Sequence, residues 1–185
     1  MKKYIFIIGL FLFSIELSAQ CNDDYLVLYN ELIEIFRNEF VLPIESDEIR
    51  FKNDIHFGFG YKIHIFSMNL MFVEYSYLYC EMETEVFSMS QGIVKEVSYG
   101  GYYGDIIVIK YGEIEIEYRN IALDGFNLND QINAGQILGK VKYINHNGFN
   151  DGFVLKIKYY DYYFDAEILL NNIEYFVRRR EQIME

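Results

Sequence analysis

Chemistry in this 185-residue chain has few places to start. There are three histidines, His56, His64 and His146, and two cysteines, Cys21 and Cys80. Imidazole is the usual general base and metal ligand near neutral pH, so the spacing of the three decides whether a metal centre is written locally. His56 precedes a glycine-rich turn, His64 falls in a strand-like run and His146 in an Asn-rich loop, and no pair has metal-ligand spacing. No Gly-x-Ser-x-Gly elbow and no local Cys–His motif supplies a nucleophile. Cys80 ends the apolar, aromatic stretch Leu78–Cys80, which suits packing more than reactivity. In an oxidising compartment Cys21 and Cys80 are candidates for a disulfide; a lipid on Cys21, or two unpaired thiols, are the alternatives.

The elements around these residues are mostly strands. Asn22-Asp23-Asp24 can cap and charge a helix start, and Leu28, Leu32, Ile35, Phe36 and Phe40 recur at helical spacing until Pro43. The spacing predicts an amphipathic packing helix over 22–41, a regulatory or partner-binding role being the alternative. After Pro43 the period becomes two. Strands are predicted at Ile49–Lys52, Lys62–Phe66, Leu70–Tyr79, Glu85–Phe87, Ile93–Tyr99, Asp105–Tyr111, Glu113–Arg119, Ile137–Ile144, Val154–Tyr160 and Tyr163–Leu170. Glu113, Glu115 and Glu117 alternate with Ile114, Ile116 and Tyr118, giving one wet and one buried face. Tyr111-Gly112-Glu113 reads as a tight hairpin. Residues 171–184 read as a short closing helix, with Arg178-Arg179-Arg180 suited to the negative end of its dipole.

Composition sets the class and compartment. Apolar residues make up 52% of the chain, enough for a core, and Tyr (18), Phe (16) and Gly (13) against one Pro favour a sheet protein. A net charge of −12 excludes a broad cationic face for nucleic acid. Lys2-Lys3, the apolar run Tyr4–Ile15 and Leu17-Ser18-Ala19 read as a signal peptide, a run too short to span a bilayer comfortably. The expected organisation is a signal peptide at 1–19, an N-terminal helix at 20–43, a β domain at 44–170 and a C-terminal helix at 171–185. The mature protein is expected to be exported, periplasmic or extracellular, with no transmembrane segment.

Three stretches in order carry a resemblance. Phe57-Gly58-Phe59-Gly60-Tyr61-Lys62-Ile63-His64-Ile65 resembles an opening strand written Ser-x-Phe-Gly-x-Arg-x-His-Pro. Glu85–Val94, followed by Gly104–Ile109, resembles Thr-Pro-Val-Tyr-Ala-x-x-Asp-Gly-Val-Val and then Gly-Asn-x-Val-x-Ile. Gln131–Val141, with Gly135-Gln136-Ile137-Leu138-Gly139, resembles Val-x-x-Gly-Gln-x-Ile-Gly-x-Val. These are motifs of the lysostaphin-type (LytM-type) zinc metallopeptidases, which cut peptidoglycan cross-bridges. The resemblance spans roughly 50–170. It implies an antiparallel β-sandwich or open barrel of the duplicated hybrid-motif kind, with the N-terminal and short C-terminal helices attached.

The same resemblance locates the zinc chemistry and finds it missing. The family's His-x-Gly-x-Asp motif falls on Val73-Glu74-Tyr75-Ser76-Tyr77, so Val73 and Tyr77 stand for the ligands His and Asp. Its Tyr-x-His falls on Tyr118-Arg119-Asn120, and its His-x-His on Val154-Leu155-Lys156, with Gly152 retained before it. His64 matches a family His that is not a ligand. Valine has no donor atom, and an ammonium repels a dication. The implied protein is a peptidase-like pseudoenzyme with no catalytic residue, no metal ligand and no cofactor. Tyr77, Tyr118, Arg119, Asn120 and Lys156 are then candidates to line a groove that holds a peptide or sugar, with peptidoglycan or a cell-wall amidase as partner. Two alternatives stand: an active zinc endopeptidase with non-standard ligands, and a lipoyl- or biotinyl-type module carrying its group on a lysine such as Lys110.

Overall fold

The computed structural model describes residues 25–45, 50–52, 59–64, 69–101, 104–142 and 152–171. The expected signal peptide, Cys21, His56, His146 and Arg178–Arg180 lie outside these residues. Helix α1 covers 25–39 and a short helix α2 covers 166–171. No helix among the described residues is long and apolar enough to cross a membrane.

Between the helices the chain is a run of short strands: β1 (Arg50–Lys52), β2 (Gly60–His64), β3 (Asn69–Val73), β4 (Ser76–Tyr79), β5 (Glu85–Phe87), β6 (Gly92–Gly101), β7 (Gly104–Tyr111), β8 (Ile114–Leu123), β9 (Gln131–Ile132), β10 (Ile137–Val141), β11 (Gly152–Tyr159) and β12 (Tyr162–Phe164). β2 and β3 form a separate hairpin. The others make a 10-stranded sheet whose main path is β1-β4-β11-β8-β7-β6-β9. Every pairing is antiparallel, and the sheet is open, not a closed barrel.

Local chemistry explains the connections. β7 and β8 join through Gly112-Glu113 with Tyr111 opposite Ile114, and Gly112 has φ +57°, as a II′ hairpin turn requires at its first position. β8 serves two partners. Residues Arg119 and earlier pair with β11, whereas Ile121–Leu123 pair with β10. Asn120 sits at the changeover with φ +68°, a conformation Asn tolerates better than most residues, and its Nδ2 donates to the Gly152 carbonyl.

One face of the sheet forms the core with α1. Leu32 and Phe36 on one helix stripe, with Phe40 just past the helix end, are buried with Ile107, Ile109, Ile114, Ile116, Leu155 and Ile157. Phe36 stacks on Phe40 at 3.9 Å, and Phe40 meets Tyr111 edge-on at 5.9 Å. The segment after α1 is tied to β5, since Phe87 N–H donates to the Pro43 carbonyl (2.8 Å) and Val41 N–H to that of Met89 (2.9 Å). The helix is therefore part of the domain's core.

Beyond shifts at strand ends, the expected strands differ from the observed ones in three places. The run Leu70–Tyr79 is broken at Glu74-Tyr75, because Val73 ends the β2–β3 hairpin while Ser76 begins pairing with β11. β9 lies in no predicted strand. The run Tyr163–Leu170 is not one strand: β12 stops at Phe164 and α2 starts before residue 171. Asp165 is the reason, accepting the Glu167 N–H on Oδ1 at 2.9 Å as a helix N-cap. Ser76 Oγ donates to the same oxygen (3.1 Å) and accepts from Ala166 N–H (3.1 Å), which ties α2 to β4.

Candidate functional site

The most specific sequence motif turns out to build the fold. Gly135 adopts φ +75° in the turn before β10, its N–H donates to Ser88 O (2.8 Å), and Ser88 N–H donates to Gln136 O (2.8 Å). Gln136 Oε1 accepts from Asn133 N–H at 3.0 Å, closing the turn. A Cβ on Gly139 would lie 1.9 Å from the Ala122 carbonyl oxygen, so only glycine lets β10 approach β8 here. Asp105, after Gly104, accepts from Gly100 N–H (2.7 Å) and Leu123 N–H (3.1 Å). These residues hold turns and strands in place.

The expected site residues divide between the sheet's two faces. Cross-strand partners share a face. Val154 is opposite Tyr77 on β4 and opposite Arg119 on β8. One step along β11, Lys156 is opposite Glu117, and one step further Lys158 is opposite Glu115. Tyr77, Val154, Lys156 and Arg119 thus belong to the face turned away from α1. Glu74, the residue after Val73, reaches the same region, its Oε2 lying 2.8 Å from Lys156 Nζ.

Tyr118 belongs to the other face. It is fully buried in the core, and its hydroxyl oxygen accepts the Met89 N–H at 2.8 Å. The groove role expected of it is corrected: its phenol anchors the segment between β5 and β6. Burial pushes its pKa far above the usual phenol value, with the Met89 and Ser88 hydrogen bonds opposing. Above the unfolded value of 10.0 the unfolded chain releases the phenol proton while the folded chain keeps it, so stability falls as pH rises beyond that point. Tyr118→Phe is expected to cost about 1–3 kcal/mol, because a buried N–H loses its acceptor. It is also expected to flatten the alkaline fall; urea melts at pH 7 and 11 check both.

Near β4 the outward face is filled by its own side chains. Tyr77 is 0% exposed, Val73 5% and Val154 6%. Gly152 makes room for Tyr77: a Cβ there would stand 3.2 Å from Tyr77 Cε1. Asn120, with its side chain on the Gly152 carbonyl, serves the backbone at this edge.

Beyond that plug the face opens into a cleft of about 130 Å³ lined by Lys95, Glu96, Val108, Glu115, Glu117, Lys156, Lys158 and Tyr163. Its charges alternate, and most are paired. Lys156 Nζ binds Glu74 and lies 4.5 Å from the centre of the Tyr163 ring, a cation–π distance. Lys95 binds Glu115 at 2.5 Å, Arg119 binds Glu117, and Lys158 is 3.7 Å from Asp161. Burial works to lower the Lys156 pKa, but the Glu74 hydrogen bond and the Glu117 carboxylate outweigh it and raise the value. Lys156 is therefore an ammonium throughout the neutral range. Among the described residues no group of three or more His, Cys, Asp or Glu side chains is arranged to hold a metal ion. Lys110 lies on β7 opposite Glu115, before the hairpin turn and not at its tip.

Sequence reasoning passed over Glu74, Glu117 and Tyr163, the residues that engage Lys156. Glu117 was in view as part of the wet stripe of β8. Glu74 carried no signal, because its reach to β11 depends on where the chain leaves the β2–β3 hairpin.

Comparison with known proteins adds the fold's relatives. No family model matches the chain, and no curated protein matches it. Solved structures do. A zinc-containing peptidase from Vibrio cholerae superposes with a TM-score of 0.58 at 13% identity, over 70% of this chain and 40% of that one. A chain of the SpoIIIAH–SpoIIQ complex gives 0.56 at 10% identity, over 70% of this chain and 98% of that one. The antimicrobial peptidase lysostaphin from Staphylococcus simulans gives 0.53 at 16%, over 76% of this chain and 53% of that one. The chain thus spans about half of lysostaphin and less of the Vibrio peptidase, but nearly all of the chain it matches in the complex. Its fold is lysostaphin-like.

Proposed function

We propose that this chain is a non-catalytic, peptidase-like module of the lysostaphin type, exported and used to bind cell-wall material or to regulate a cell-wall hydrolase. The observation that carries the reading is the engaged ammonium of Lys156. Where a peptidase of this type needs a second imidazole on its metal, this chain has a cation paired with Glu74. The residues around it do not suit zinc either. Val73 and Val154 offer no donor atom, and Tyr77 has its ring packed against Gly152. The chemistry these side chains offer is that of holding a ligand by ion pairs, hydrogen bonds and phenol stacking.

The test has two arms. Purified protein, cleaved after residue 19, is mixed with insoluble peptidoglycan and sedimented, and is added to a cell-wall amidase to follow glycan release. Co-sedimentation or a rise in amidase rate is expected, without cleavage of peptide cross-links by the protein alone. Absence of both binding and activation would overturn the reading.

A second reading is favoured by one comparison: the chain covers 98% of a structure solved within a two-protein complex. On that reading the partner is a protein. Cross-linking in the exported compartment, followed by mass spectrometry, would return a single protein species and no cell-wall fragment.

A further inference from the structure

We propose that the open cleft beside the plug takes a ligand carrying a free ammonium and a free carboxylate close together, as a short unblocked peptide does. The argument is charge order. On β8, Glu115 and Glu117 make a carboxylate row; on β11, Lys158 and Lys156 stand opposite them as an ammonium row. Adjacent strands are about 4.8 Å apart, so the two rows run side by side at roughly the separation of the two ends of a small zwitterion. Val108, on β7 next to Glu117, gives the floor an apolar strip, and Tyr163 closes the β12 side.

The setting strengthens this assignment. The whole chain carries −12, yet the cleft and its rim set five carboxylates (Glu74, Glu96, Glu115, Glu117, Asp161) against four cations (Lys95, Arg119, Lys156, Lys158), close to balance. A purely anionic ligand meets the protein's overall field, and a purely cationic one meets the lysine row. A ligand with both charges meets neither penalty. The pairs it must loosen are weak ones: Lys95 is half exposed, and among the described residues Lys158 pairs only with the fully exposed Asp161, at 3.7 Å. Lys156, held by Glu74 and Tyr163, stays as the fixed end of the row.

This inference rests on the reading of the outward face as a ligand groove, but it fails separately. The experiment is a nuclear magnetic resonance titration of the intact mature protein with alanyl-alanine, its N-acetyl form and its C-terminal amide. The expected result is saturable shifts at Lys95, Val108, Glu117 and Tyr163 with the free dipeptide, and affinity lower by about tenfold or more for each blocked form, since each loses a charge-assisted contact. Glu115→Gln is expected to weaken the free dipeptide while leaving the amide-to-acetyl order reversed in favour of the acetyl form; Lys158→Met does the opposite. Equal binding of the acetyl form would mean an anion site only, equal binding of the amide a cation site only, and no shifts no site; each overturns the proposal. Because the blocked ligands are tested on the unmodified protein, the conclusion does not depend on either variant folding. A protein that sediments with peptidoglycan yet ignores the dipeptide would lose this inference alone.

Discussion

Gly152→Ala is expected to destabilise the protein by about 3–5 kcal/mol, among the largest effects a single methyl can have. The added Cβ would lie 1.8 Å from the Leu78 carbonyl oxygen and 2.8 Å from its carbon, atoms of the neighbouring backbone that cannot rotate aside. Gly152 is opposite Tyr79 and Phe153 opposite Leu78, so relief requires β4 to part from β11. That would disturb the Tyr77–Val154 pair, the Asn120 bond to the Gly152 carbonyl and the Ser76–Asp165 cap together. For a domain of this size the melting temperature should fall by roughly 10 °C or more. Gly125→Ala is the control. Nothing lies within 4 Å of its added Cβ, so only the strain of its positive φ is felt, on the order of 1 kcal/mol. Thermal melts of the two variants beside the parent protein decide; similar losses would show that the approach of β11 to β4 is looser than described.

Phe36→Ala should produce a loss of similar size, about 3–5 kcal/mol, from transfer and cavity terms together. Phe36 is fully buried between Phe40 and the core face of the sheet, and it has no route by which the surroundings can collapse without moving α1. Glu34→Ala on the outer side of the same helix removes only the exposed pair with Arg37 and should change stability by less than about 1 kcal/mol. The comparison also separates two roles for the helix. A regulatory helix that leaves its seat would tolerate Phe36→Ala with a stable remaining domain, whereas a core helix takes the domain down with it in one transition. Denaturant melts followed by near-ultraviolet and far-ultraviolet circular dichroism should coincide.

What the sequence made legible was mostly backbone. Gly135-Gln136 and Gly139 could be read because turn geometry and strand approach restrict residue type at those positions, whatever the protein does. The α1 stripe and the β7–β8 hairpin were legible for the same reason, through the 3.6 and 2.0 periods. Tyr118 shows where two readings competed. Its place with Ile114 and Ile116 in the alternation with Glu113, Glu115 and Glu117 put it on the buried face, while the motif resemblance placed it in a groove; the period was the better guide, because it reflects burial directly. The end of the chain was misread because Tyr163–Leu170 is rich in aromatic and aliphatic residues, and Asp165, a helix cap bonded to Ser76, marks the change. The partners of Lys156 were hidden because they come from separate strands and a loop. Spacing along one strand cannot show what three chain segments bring together.

The most direct test of the central claim is the metal content of the protein purified without chelators, measured by mass spectrometry of the elements together with hydrolysis of peptide cross-links. The account predicts far less than one zinc per chain, no gain in stability on adding zinc and no cross-link cleavage with or without it. One tightly bound zinc per chain, with cleavage that stops on chelation and returns on reloading, would contradict it.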